Sequence, residues 1–159
     1  MNGNLATKRD ELYSYEDYQS WDDGQRWEII DGHAYLMAVP STKHQRISGI
    51  LHHHIFSYLQ GKPCEVFHAP FDVRLFPKPK SRWEEALVQP DLSVVCDTGQ
   101  LDDKGCNGAP TLVVEIISPS SSSRDCVTKL NKYKRAGVTP TFSGLEIPLS
   151  GIFSTNTTN

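Results

Sequence analysis

No stretch of this chain stays apolar over the length of a membrane-spanning helix. Such a helix needs roughly 20 residues, so a membrane protein is not expected. The first ten residues hold no apolar core of the kind that directs secretion, and export is not expected either. Cys64, Cys96, Cys106 and Cys126 form no CxxC pair and no zinc-ligand spacing. They read as reduced, structural thiols of a cytoplasmic protein. An excess of positive charge is also missing. Sixteen Lys and Arg against nineteen Asp and Glu give a net charge of -3, which argues against a protein that coats nucleic acid by charge alone. A nuclease stays open, because an acidic metal site subtracts from any basic rim. There is no internal repeat, no helix-turn-helix and no zinc module. The four serines at 120–123 need no explanation beyond a loop.

What is present is ordinary globular material: 159 residues, 38% hydrophobic and 22% charged. A chain of this size is one domain able to bury roughly 70% of its unfolded surface. Ser14, Tyr15, Glu16 and Asp17 look like a helix start, with Tyr15, Tyr18 and Trp21 available for docking. Two β-prone runs within residues 26–38 flank Asp31-Gly32, a dipeptide suited to a tight hairpin turn. Ser41 or Thr42 can cap a helix over residues 44–60, whose Ile47, Ile50, Leu51, Ile55, Tyr58 and Leu59 recur at helical spacing. Residues 64–68 and 71–76 read as strands, or as one strand bent at Pro70. Residues 88–95 read as a strand entered through Pro90, 97–110 as a glycine-bearing loop, and 112–117 as a further strand. A second helix spans 125–136, with Val127, Leu130 and Tyr133 to Ala136 as its apolar stripe and Gly137 as its C-terminal stop. Hairpin, helix, strands and helix together predict an α+β fold with a mixed sheet.

Two residues stand out chemically. Asp91 and Glu115 are lone carboxylates in apolar, β-prone runs, and a buried acid costs several kcal/mol unless something positive compensates it. Two such acids on neighbouring strands would share one cation. Hard oxygen donors with room for water suit Mg²⁺ (or Mn²⁺), and that pairing suits phosphate chemistry. Neutralisation of strand-end acids by Lys or Arg is the plainer alternative. The run His52-His53-His54 is not a metal site, because consecutive helix residues point about 100° apart. Lys43, Arg46, Lys129, Lys132, Lys134 and Arg135 could rim a phosphate site or simply meet solvent.

The segments WEIIDGHAYLMA, PSTKHQRISGILHHHIFSYL, APFDVRLF, VQPDLSVVCD, GAPTLVVEIISPSS and DCVTKLNKYKRAGV, in this order and with these intervening lengths, resemble a bacterial restriction-endonuclease family. That family is the Uma-two-like branch of the PD-(D/E)XK nuclease superfamily. The resemblance implies a restriction-endonuclease-like core of helix, three-strand meander, helix and strand, preceded by the hairpin. It makes Asp91 and Glu115 metal ligands, joined by the backbone carbonyl of Ile116. Ile117 stands where the motif lysine belongs, and Lys129 on the following helix is the matching position, with Lys132 as a substitute. Glu28 and His44 match recurrent positions and could be accessory residues or form a salt bridge and a helix contact. Tyr133 and Trp27 read as core. The implied activity is hydrolysis of DNA phosphodiesters by Asp91, Glu115 and Lys129. The alternative is a non-catalytic module that keeps the fold and forms a homodimer through its hairpin.

The expected organisation is an N-terminal extension at 1–25, the endonuclease-like domain at 26–138 and a divergent tail at 139–159. After Val138 the character changes abruptly. Pro140, Gly144 and Pro148 suit no central strand, so the last core strand is expected to be missing or replaced by residues 145–149, as in a truncated chain of reduced competence. The strand at 112–117 would then become an exposed apolar edge.

Overall fold

The computed structural model of the chain describes residues 11–118, 123–139 and 144–147. Ser14 opens α1 (Tyr15–Gln19) with a capping box in which Ser14 and Asp17 satisfy each other's backbone N–H groups. β1 (Trp27–Ile30) and β2 (His33–Leu36) form the expected hairpin. Its turn is built by Asp31 at φ 53° and Gly32 at φ 75°. Such a left-handed pair matches the twist of the flanking strands. Ser41 caps α2 (Thr42–Leu59) by accepting from the His44 N–H. The second expected helix is α3 (Ser123–Ala136), and Gly137 follows it at φ 92°. A left-handed glycine at that position ends the helix.

The strands differ from the linear reading in one respect that matters for the site. Residues 88–95 are not one strand. β5 (Ala86–Val88) and β6 (Leu92–Val95) lie in different sheets, separated by Gln89, Pro90 and Asp91. The partner segment divides in the same way, into β3 (Glu65–His68) and β4 (Val73–Arg74), with the cis Ala69–Pro70 peptide between them. β3 pairs with β6 and β4 with β5, both antiparallel, so one long ribbon crosses from sheet to sheet. Pro90 supplies the break because it has no N–H for a ladder. Residues 97–110, expected as a loop, also contain a small hairpin of β7 (Leu101–Asp102) and β8 (Gly105–Asn107). β9 (Leu112–Val114) stops one residue short of Glu115.

The larger sheet has the order β2-β1-β5-β4-β8-β7, with β4 and β8 parallel, and the smaller has the order β3-β6-β9. Alternation along β6 sends Leu92 and Val94 into a core with Ile55 and Leu59 of α2. Val95 faces the opposite core, which holds Ile30, Val73, Val88 and Tyr133 of α3. The small sheet is thus covered by α2 on one face and α3 on the other. The α3 stripe is narrower than its spacing suggests: Tyr133 and Ala136 pack inward, whereas Val127 and Leu130 are 56% and 51% exposed. Leu145 and Ile147, in non-strand conformation, pack against the α2 core. The remainder of the expected tail lies outside the described residues.

The expectation of four free thiols is corrected. Cys64 and Cys96 are joined in a disulfide, and Cys106 and Cys126 are free. The ladder sets Glu65 opposite Val95, so the next pair outward is Cys64 and Cys96, with Cα atoms 4.0 Å apart. Spacing along the chain gives no hint of that register. Among the described residues, no helix is long and apolar enough to cross a membrane.

Candidate active site

The break at Gln89, Pro90 and Asp91 creates the site. β6 and β9 pair Leu92 with Val114 at the end of their ladder, and Asp91 and Glu115 are the residues that adjoin this last pair. Both residues therefore sit at the same end of the small sheet, Glu115 against α3 and Asp91 against the first turn of α2. Asp91 is fastened from two directions. Its Oδ2 accepts the Ile116 N–H at 2.7 Å, and its Oδ1 lies 3.0 Å from Nε2 of His44 in the first turn of α2. The Nδ1 atom of His44 is buried and has no hydrogen-bond partner among the described residues.

Lys129 enters from α3 and lies between two carboxylates. Its Nζ is 2.6 Å from Oε1 of Glu115 and 2.8 Å from Oε1 of Glu28 on β1. Glu28 also accepts the Gln89 N–H at 2.9 Å, which ties the hairpin to the break in the strand. Tyr133, one turn after Lys129, donates its hydroxyl to the same Glu115 oxygen. Burial raises the Glu115 pKa above the usual carboxylate range; the Lys129 ammonium opposes that, and Glu28 adds to it. For Lys129, burial disfavours the charge, but Glu28 and Glu115 outweigh it and its pKa rises. Lys129 is therefore held as a cation and is unsuited to act as a base at neutral pH. Burial, then the charges of Glu115 and Glu28, drive the Tyr133 pKa well up, so its hydroxyl stays a donor.

The structure thus gathers Glu28, Glu115 and Lys129 and sets Asp91 with His44 beside Ile116. Lys132 is not part of the cluster. Its ammonium pairs with Asp31 in the hairpin turn, because α3 turns that residue away from Lys129. Of the phosphate rim, Arg135 is paired with Glu84. Tyr133, read as core, has its ring in the core and its hydroxyl in the site. Its i+4 spacing from Lys129 was the available signal. A second polar network had no such signal. Gln89 takes Arg26 Nε at 2.9 Å and donates to Asp72 at 2.8 Å and Tyr18 at 3.3 Å, behind Glu28. Burial raises the Asp72 pKa, and the Gln89 bond partly offsets this.

A cleft of ≈ 550 Å³ opens above Glu28, Glu115 and Lys129, between the hairpin, the end of β9 and α3. The model of the Uma2 family, described as "Putative restriction endonuclease", matches residues 15–140. The chain belongs to this family. The Uma2 match spans the hairpin, both core helices and every residue of the cluster. An uncharacterized protein of Synechocystis sp. is 30% identical over 122 residues, 76% of this chain. The chain spans 61% of that relative's length. A crystal structure described as a putative nuclease belonging to DUF820, from Anabaena variabilis, superposes with a TM-score of 0.62 at 17% identity. The match covers 79% of this chain and 69% of that one, and it shows the shared fold. The α+β, restriction-endonuclease-like architecture is therefore that of a Uma2 protein.

Proposed function

We propose that this Uma2 protein is a divalent-metal-dependent endonuclease that hydrolyses DNA phosphodiester bonds. The observation that supports the reading is that Asp91 and Glu115 adjoin the last pair of the β6–β9 ladder, where Lys129 reaches Glu115 and the Ile116 N–H reaches Asp91. Among the described residues, no three His, Cys, Asp or Glu side chains already form a metal-binding group. The donor set proposed here needs only two carboxylates and a backbone carbonyl, and its hard oxygens fit Mg²⁺ or Mn²⁺. Asp91, Glu115 and the Ile116 carbonyl would hold the ion. When bound, it supplies Lewis acidity to water and to the phosphate oxygens.

The protein's own groups supply the rest. Lys129, kept protonated by its two carboxylates, offers a fixed positive charge where phosphate becomes more negative. Glu28 anchors that ammonium from the opposite side, and the Gln89 N–H fixes Glu28 in turn. Tyr133 and Lys129 both meet Oε1 of Glu115, so Oε2 is the oxygen it would offer to a cation. His44 aligns Asp91.

Incubation of supercoiled plasmid with the chain and Mg²⁺ or Mn²⁺ should yield nicked and linear products, which EDTA and Asp91→Asn abolish. Intact plasmid under all conditions would refute the reading. The second reading, a non-catalytic homodimerising module, is favoured by the solvent-facing Ile117, Val127 and Leu130. It requires a stable dimer in the absence of nuclease activity.

A further inference from the structure

We infer that the cleft above Glu28, Lys129 and Glu115 receives an unstacked nucleobase, so that the site takes unpaired or locally opened nucleic acid in preference to intact duplex. The inference rests on the nuclease reading, because it deepens the use of the same site. The cleft holds ≈ 550 Å³. Small-ligand sites typically enclose several hundred cubic ångströms, so one base fits with room to spare. Its floor is ionic but its walls are not. Leu36 and Met37 from the hairpin, Ile117 beyond β9 and Leu130 of α3 border it, together with Tyr35. A phosphate gains nothing from such walls. Ile117 is 62% exposed and Leu130 51%, so apolar surface faces water beside the charged cluster.

A duplex is held mainly through its phosphates. Among the described cations of α3, Lys132 is paired with Asp31 and Arg135 with Glu84, so neither is free for a run of duplex phosphates beyond the one that Lys129 can meet. In a stacked duplex the base faces are hidden, and an apolar wall beside the backbone has nothing to meet. An extruded or single-stranded base presents a flat π-face, which aromatic and apolar side chains accept with little regard to sequence. With the base in the cleft, the adjoining phosphate comes to the carboxylates and Lys129 at its floor.

Fluorescence anisotropy of the full chain in Ca²⁺ tests this with three labelled probes: a short single strand, its perfect duplex and the same duplex bearing unpaired nucleotides. The single strand and the bulged duplex should bind at least about 10-fold more tightly than the perfect duplex. Leu130→Glu and Ile117→Glu, both at exposed positions that leave the core intact, should each weaken that binding by roughly 10–100-fold, the loss of one stacked base. Equal affinity for the three probes, wild-type affinity in both variants, or no binding of any probe would overturn the inference. Base-dependent binding without Mg²⁺- or Mn²⁺-dependent cleavage would uphold the cleft and reject only the nuclease reading. Cleavage of intact duplex that Leu130→Glu leaves unchanged would do the reverse. A dimer that either variant converts to monomer, with oligonucleotide binding unaltered, would assign these walls to a second copy and also overturn it.

Discussion

Replacing Lys129 by Met removes the cation shared by the buried Glu28 and the partly buried Glu115 while keeping most of the side-chain volume. In the folded protein Lys129 touches Glu28 at 2.8 Å and Glu115 at 2.6 Å, and the three side chains are 15%, 9% and 25% exposed. Breaking a buried ion pair from one side costs about 3–5 kcal/mol, a large part of the roughly 5–15 kcal/mol that holds a domain together. At about 2–4 °C per kcal/mol, the melting temperature should fall by roughly 6–20 °C at pH 8. The loss should shrink in acid. The folded-state pKa of Glu115 already stands above its ordinary 4.5, chiefly through burial. Its contribution is therefore fully favourable below that ordinary value and is lost as pH rises through the raised one. Without Lys129 to pull the raised value down, the loss extends to higher pH. Lys129 has a folded-state pKa above its ordinary 10.5. Its own contribution is therefore constant between pH 5 and 8 and lost only in strong alkali. Thermal melts of both proteins in EDTA at pH 5, 6.5 and 8 read the effect. A variant within about 2 °C of wild type at pH 8, or a deficit equal at pH 5 and pH 8, would refute the reasoning.

Tyr133→Phe keeps the ring in its core but strips the hydroxyl from Glu115. Urea denaturation at pH 8 should show a loss of about 1–3 kcal/mol. Gly105→Ala should fail to fold or lose several kcal/mol by the same measurement, on the order of the largest single-site effects. Gly105 has φ +124°, and a Cβ there would lie 2.2 Å from the Asp72 carbonyl oxygen. Opening the Cys64–Cys96 bridge by reductant or by double serine substitution removes a cross-link over a sequence separation of 32. Loop entropy makes such a link worth about 3–4 kcal/mol. An unchanged melting temperature in reductant would show that the bridge adds nothing to stability.

Local chemistry carried much of the fold. The hairpin was legible because Asp31-Gly32 accepts left-handed angles, and α2 because Ser41 precedes a regular apolar stripe. The division of residues 88–95 between two sheets was not legible. Pro90 marks a strand entrance and a strand break with the same residue, and only the partner β3 and β4 distinguish the two. The cross-strand Cys64–Cys96 bridge was hidden for the same reason, since it depends on register. Within the site, Asp91 and Glu115 announced themselves as charges in apolar strands. Lys129 and Glu28 needed family resemblance, and the structure set them in contact. Lys132 looked equivalent to Lys129 on a helical wheel, yet the hairpin turn captures it through Asp31. Val127 and Leu130 looked like core by periodicity, but both are exposed, and Leu130 borders the open cleft.

The central claim is that Asp91 and Glu115 share a divalent cation. Titration calorimetry with Mn²⁺ on the wild-type chain, Asp91→Asn and Glu115→Gln tests it without requiring turnover. One saturable site is predicted in the wild type, and either substitution should abolish it while each variant keeps its cooperative melt. No saturable heat in the wild type, or undiminished binding in both variants, would contradict it.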